Sequence, residues 1–83
     1  ALASELAPKI RVNLVAPSLT DTPLANSLLS SDEKRKANAD RHPLKKIGTT
    51  EDIANAAMYL LTDQSSWMTG QVLHIDGGMS RLK

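Results

Sequence analysis

Ile10-Arg11-Val12-Asn13-Leu14-Val15-Ala16-Pro17-Ser18-Leu19-Thr20-Asp21-Thr22 is the stretch whose reading decides the fold. From Ile10 to Ala16 only Arg11 and Asn13 interrupt an apolar run that includes β-branched Ile10, Val12 and Val15. This composition predicts a strand buried on both faces, as in a parallel sheet. Pro17 ends it, because proline has no N–H to give the ladder. Ser18 to Thr22 then forms a short loop rich in hydroxyls. Ligands of open parallel sheets bind at the carboxyl ends of the strands, so this loop stands where a ligand would be expected.

On the N-terminal side, Ala1 to Ala7 reads as the tail of a helix, with Leu2, Ala3 and Leu6 on one face and Pro8 stopping it. A helix this short is not stable alone, and a preceding N-terminal part is expected. On the other side, Pro23 to Leu29 predicts a short helix with Pro23 at its first position. Ser30-Ser31-Asp32-Glu33 fits a capping box with Ser30 as N-cap. Its carboxylates precede Lys34, Arg35 and Lys36, the order favoured by the helix dipole, and His42-Pro43 closes that helix. Gly48 marks another turn. Thr49 or Thr50 caps the strongest helix, whose Ile53, Ala56, Ala57, Leu60 and Leu61 form a core stripe. Asp63 to Ser66 closes it, and Gly70 turns the chain into a second strand, Gln71 to Asp76, ended by Gly77-Gly78. Strand, helical connection and strand predict an α/β fold closed by a right-handed parallel crossover.

With 83 residues the chain is at most one small domain. Its 41% hydrophobic and 23% charged residues are ordinary for a globular protein. Ten basic residues against nine acidic leave a formal charge of +1, no basis for a nucleic-acid surface. Cysteine is absent, which removes disulfides and thiolate metal sites. No apolar run approaches the ~20 residues needed to cross a bilayer, and the compartment expected is the cytoplasm.

Thr20 and Thr22 have two readings. Their hydroxyl and backbone groups could hydrogen-bond a polar ligand at the sheet edge, or they could be turn residues satisfying local backbone groups. His42 and His74 have no histidine or cysteine at ligand spacing and read as structural. Asp76-Gly77-Gly78 is either a phosphate- or metal-binding turn or a strand-ending turn with permissive glycines. Trp67-Met68 reads as packing rather than a cofactor platform. No Ser-His-Asp set, Walker loop or G-x-G-x-x-G fingerprint occurs.

Several local patterns join into one resemblance. Leu2-Ala3-x-Glu5-Leu6-Ala7, Ile10-Arg11-Val12-Asn13 and Ala16-Pro17-x-x-x-x-Thr22 resemble the second half of a short-chain dehydrogenase/reductase. So do Pro43-Leu44-x-Lys46-x-Gly48, Glu51-Asp52-Ile53-Ala54, Leu60-Leu61 and Thr69-Gly70-Gln71-x-Leu73-x-Ile75-Asp76-Gly77-Gly78. The likeness runs over essentially the whole chain in order and spacing.

The resemblance implies the C-terminal portion of a doubly wound, Rossmann-type sheet that uses NAD or NADP, with residues 1–83 as one segment of a dinucleotide-binding domain. Thr22 matches the family's threonine on the nicotinamide carboxamide, and Thr20 lies where family backbone groups make a second contact. Pro17 matches the strand-end proline. Ser18 departs from the usual glycine, which eases backbone approach to the cofactor. Residues 23–41 match the variable lid over the substrate. The implied activity is hydride transfer between a nicotinamide and a small alcohol/carbonyl substrate. No catalytic residue is assigned within the chain, since the family's catalytic Ser and Tyr-x-x-x-Lys match nothing in it. Tyr59 is no substitute, because Asp63 stands where that motif needs lysine. A homo-oligomer through the Glu51–Leu61 helix and the Gln71–Asp76 strand is expected. The rival readings are a catalytically inactive fragment serving as a packing or oligomerisation unit, and a non-enzymatic adaptor.

Overall fold

A computed structural model of the chain describes residues 1–82. Helix α1 spans Leu2–Leu6, strand β1 Leu14–Pro17, a 3₁₀ segment Pro23–Leu28, helix α2 Asp32–Asp40 and helix α3 Thr50–Leu61. A second 3₁₀ turn, Asp63–Ser65, precedes strand β2, Val72–Ile75. The two strands form one parallel pair, with Leu14 opposite Val72 and Pro17 opposite Ile75. The expected strand–helix–strand unit is present, and α3 packs on both strands.

β1 is shorter than the Ile10–Ala16 strand expected, and the reason lies in two side chains. Val12 donates its N–H to the Thr69 hydroxyl at 3.1 Å, and the Asn13 carboxamide oxygen accepts the Gln71 N–H at 3.0 Å. Asn13 also donates from Nδ2 to the Met68 carbonyl. The backbone meets here at the Gly70 N–H on the Val12 carbonyl, 2.8 Å, but side chains take the neighbouring places, and regular pairing begins at Leu14. β2 is trimmed in the same way to Val72–Ile75, with Gln71 and Asp76 flanking it. β1 runs one residue past the Ala16 end expected: Pro17 is its last residue, its nitrogen on the side away from β2, and Ser18 still donates to the Ile75 carbonyl at 3.3 Å.

The strand faces are not buried as expected. Leu14 is 62% exposed, and Ile10 and Val72 are about half exposed. The described chain lays one helix against two strands, whereas a strand buried on both faces needs neighbours on each side and cover above and below. Its radius of gyration, 15.3 Å, exceeds the ~12 Å of a compact domain of this size. Among the described residues the buried apolar side chains are Ala25 and Leu29, in and just after the first 3₁₀ segment rather than under the sheet.

Helix starts follow the sequence, with one shift. Thr49 caps α3: its hydroxyl accepts the Asp52 N–H at 3.1 Å while Asp52 accepts the Thr49 N–H at 2.9 Å. The backbone and side chain of Thr49 hold the Asp52 carboxyl below the usual aspartate range. The cap of α2 is Ser31, not Ser30, because its hydroxyl accepts the Lys34 N–H. Ser30 instead donates to the Ser27 carbonyl. In α3, Ile53, Ala56, Ala57 and Leu60 turn inward, but Leu61 is 79% exposed at the last turn. Trp67, expected to pack, is 99% exposed. It sits on the Ser66–Met68 turn, whose backbone is tied inward while the indole points away.

Candidate functional site

The loop Ser18–Thr22 leaves the carboxyl end of β1 and is held from three directions. The first hold is backbone. Thr20 forms a parallel bridge with Gly48, in which Asp21 donates to the Gly48 carbonyl at 2.9 Å and Gly48 donates to the Leu19 carbonyl at 3.2 Å. These bonds use the residues on either side of Thr20, so its own N–H and C=O face away from Gly48. A Cβ added at position 48 would stand 3.5 Å from the Leu19 carbonyl and the Thr20 hydroxyl, ordinary contact distances, so the bridge holds without depending on glycine there.

The second hold comes from α2. Arg35 donates from Nη2 to the Asp21 carboxylate at 2.7 Å and from Nη1 to the Leu29 carbonyl at 3.4 Å. The third hold comes from the end of the same helix. His42, 3% exposed, places Nε2 2.9 Å from the Ser18 hydroxyl and Nδ1 2.8 Å from the Asn38 carbonyl. Ser18 Oγ also lies 3.4 Å from Met79 Sδ.

Within this frame the expected site residues separate. Pro17 is exposed at the strand end. The Ser18 side chain faces His42, and the Thr20 hydroxyl donates to the Ser18 carbonyl at 3.0 Å. For Thr20 the local-turn reading therefore describes the side chain, and its backbone groups remain available. Thr22 is different. It caps the Pro23–Leu28 segment with extended backbone, its carbonyl accepts the Ala25 N–H, and its hydroxyl makes no cap bond. Among the described residues that hydroxyl has no hydrogen-bond partner.

Beside the loop lies a cavity of about 200 Å³ lined by Ser18, Leu19, His42, Lys46, Asp52 and Asp76, among others. Asp76 belongs to the turn after β2, where Gly77 and Gly78 have φ of 62° and 91°. Its carboxylate accepts the Gly78 N–H at 2.9 Å and the Ser80 N–H at 3.2 Å. The Ser80 hydroxyl and these backbone donors hold the Asp76 carboxyl below its usual range. The turn satisfies its own carboxylate, and among the described residues no group of three or more His, Cys, Asp or Glu could hold a metal. No helix among the described residues is long and apolar enough to cross a membrane.

Reading the sequence did not pair Ser18 with His42 or Asp21 with Arg35. No local pattern signals contacts across 24 and 14 positions. His42 is structural, as expected, but its partner is in the candidate site.

A parallel α/β pair with a hydroxyl loop at its carboxyl end belongs to the open α/β sheets, which place their ligand sites at strand ends. The comparisons narrow the class. The profile of the family described as enoyl-(acyl carrier protein) reductase matches residues 1–80. The short-chain dehydrogenase/reductase SDRA of Arabidopsis thaliana is 46% identical over 83 residues, 99% of this chain and 33% of that protein. Aldohexose dehydrogenase of Thermoplasma acidophilum, as a C-terminal deletion mutant, superposes with a TM-score of 0.89 at 32% identity, over 95% of this chain and 38% of that one. ElxO, solved with NADP bound, superposes with a TM-score of 0.84 at 36% identity, over 95% and 33%. The chain belongs to the short-chain dehydrogenase/reductase family, and its two parallel strands are part of that Rossmann-type fold. It spans about a third of the length of the relatives it matches.

Proposed function

We propose that the protein containing this chain is an NAD- or NADP-dependent oxidoreductase acting on a small alcohol/carbonyl pair, with the cytoplasm as its compartment. In this reading the chain supplies the C-terminal segment of the dinucleotide-binding domain. The nicotinamide, when bound, accepts or donates the hydride; this chain's residues orient it. Thr22 donates its hydroxyl to the carboxamide, the Thr20 backbone makes the second contact, and Pro17 and Ser18 shape the strand end beneath. Residues 23–41 cover the substrate. The observation that carries the proposal is the unpartnered Thr22 hydroxyl on a loop pinned at Ser18, Thr20 and Asp21. A donor held in place binds without first losing loop entropy. The exposed apolar residues on the outer side of α3, Met58, Tyr59 and Leu61, support association of subunits through α3 and β2.

The test is Thr22→Val in the full-length protein. One hydrogen bond is worth roughly 0.5–1.5 kcal/mol net, so kcat/KM should fall about 2- to 10-fold, with the melting temperature unchanged. Unchanged kinetics with a clearly lowered melting temperature would make Thr22 a structural turn residue.

A further inference from the structure

The Ser18–His42 contact has a consequence for the lid. Three elements meet at the imidazole: the end of α2, the end of β1 and the turn after β2. Nδ1 faces the Asn38 carbonyl, which can only accept, so in the neutral ring Nδ1 carries the hydrogen and Nε2 accepts the Ser18 hydroxyl; this tautomer is assigned from the partners. His42 lies over Gly77, where an added Cβ would stand 3.3 Å from His42 Cβ and 3.6 Å from ring Cδ2. The Pro43-Leu44 step is fixed by the Leu44 N–H on the Gly77 carbonyl at 3.0 Å. His42 therefore has little room to move unless α2 or the loop moves with it.

We infer that Ser18 and His42 form a positioning couple that makes the ordering of the nicotinamide-side loop and of the lid helix α2 a single event. The inference rests on the oxidoreductase reading above and assigns Ser18 a role through His42 rather than on the cofactor. The other link between loop and helix, Arg35 with Asp21, is 43% and 50% exposed, and exposed pairs contribute little. The His42–Ser18 bond, by contrast, is part-buried, with His42 itself only 3% exposed, so water replaces it less readily when it breaks. A nucleotide that stills residues 18–22 thereby stills residues 32–42, closing the lid from the cofactor side.

Hydrogen exchange on the full-length protein, with and without NAD and NADP, tests this without knowledge of the substrate. In the unaltered protein the nucleotide should slow exchange in residues 18–22 and 32–42 together. Ser18→Ala should keep protection at the loop but lose it several-fold in residues 32–42, and Ser18→Thr, which retains the hydroxyl, should restore it. Equal protection of both segments in Ser18→Ala, or loop protection without lid protection in the unaltered protein, overturns the inference alone. No protection by either nucleotide in the unaltered protein overturns the oxidoreductase reading and the inference with it.

Discussion

Arg11, which reads in the sequence as an interruption of an apolar run, should be among the costliest residues to replace. Its Nη1 donates to the Ser65 carbonyl at 2.8 Å, to Ser65 Oγ at 2.9 Å and to the Met68 carbonyl at 3.3 Å. Its Nη2 donates to the Leu60 and Thr62 carbonyls, each at 3.2 Å. One planar guanidinium thus collects the C-terminal carbonyls of α3 and of the turn after it, groups that a helix end leaves without partners. In Arg11→Met these acceptors each keep another donor. Ser65 is 1% exposed, but its carbonyl still accepts the Met68 N–H at 2.9 Å. The Ser65 hydroxyl stays bonded to the Leu60 and Thr62 carbonyls, and Asn13 still donates to the Met68 carbonyl. What is lost is the hydrogen bonding to a charged group, about 1.5–3 kcal/mol. For a protein of about 150–250 residues that lowers the melting temperature by roughly 3–12 °C. Arg11→Lys should recover only part, because an ammonium has three donors and no fork to span both groups of acceptors. Calorimetric melting of the full-length variants is the assay. A loss below about 0.5 kcal/mol for Arg11→Met, the scale of an ordinary surface substitution, would refute the capping role.

Acid should weaken the α3 cap and the turn after β2 together. Both Asp52 and Asp76 have carboxyls held below the ordinary value, so the unfolded chain takes up protons first. Their contribution is present above the unfolded aspartate range near pH 4 and is lost as pH falls through the folded values. Asp52→Asn with Asp76→Asn keeps an accepting oxygen but cannot titrate, so the acid limb of a stability–pH curve should become shallower; an unchanged limb contradicts the assignment. The 83-residue chain by itself should self-associate and show no turnover of NADH or NADPH. Two strands with exposed Leu14 and Val72 do not make a self-sufficient sheet, and positioned acid–base groups typically supply about 10²–10⁴ in rate. Light scattering across a dilution series that found a compact, cooperatively melting monomer would count against the first claim, and reproducible turnover against the second.

The sequence by itself determined what depends on near neighbours. A cap for α3 at Thr49 or Thr50, most of its inward face, a short helical segment opening at Pro23 and the two strands with their parallel pairing were legible, because propensity, periodicity and caps act over a few residues. The family was legible too, from motif order. What the tertiary structure decided is every term that depends on distant partners. Asn13 and Thr69 shorten β1 by taking its ladder positions, a contact between residues far apart in sequence. Arg11 turns from an interruption into a helix-end clamp. Among the candidate residues, Thr22 keeps a free hydroxyl while Ser18 and Thr20 turn theirs inward. That sorting rests on where His42 and Gly48 come to lie, and residues that close a loop through space leave no periodic trace along the chain.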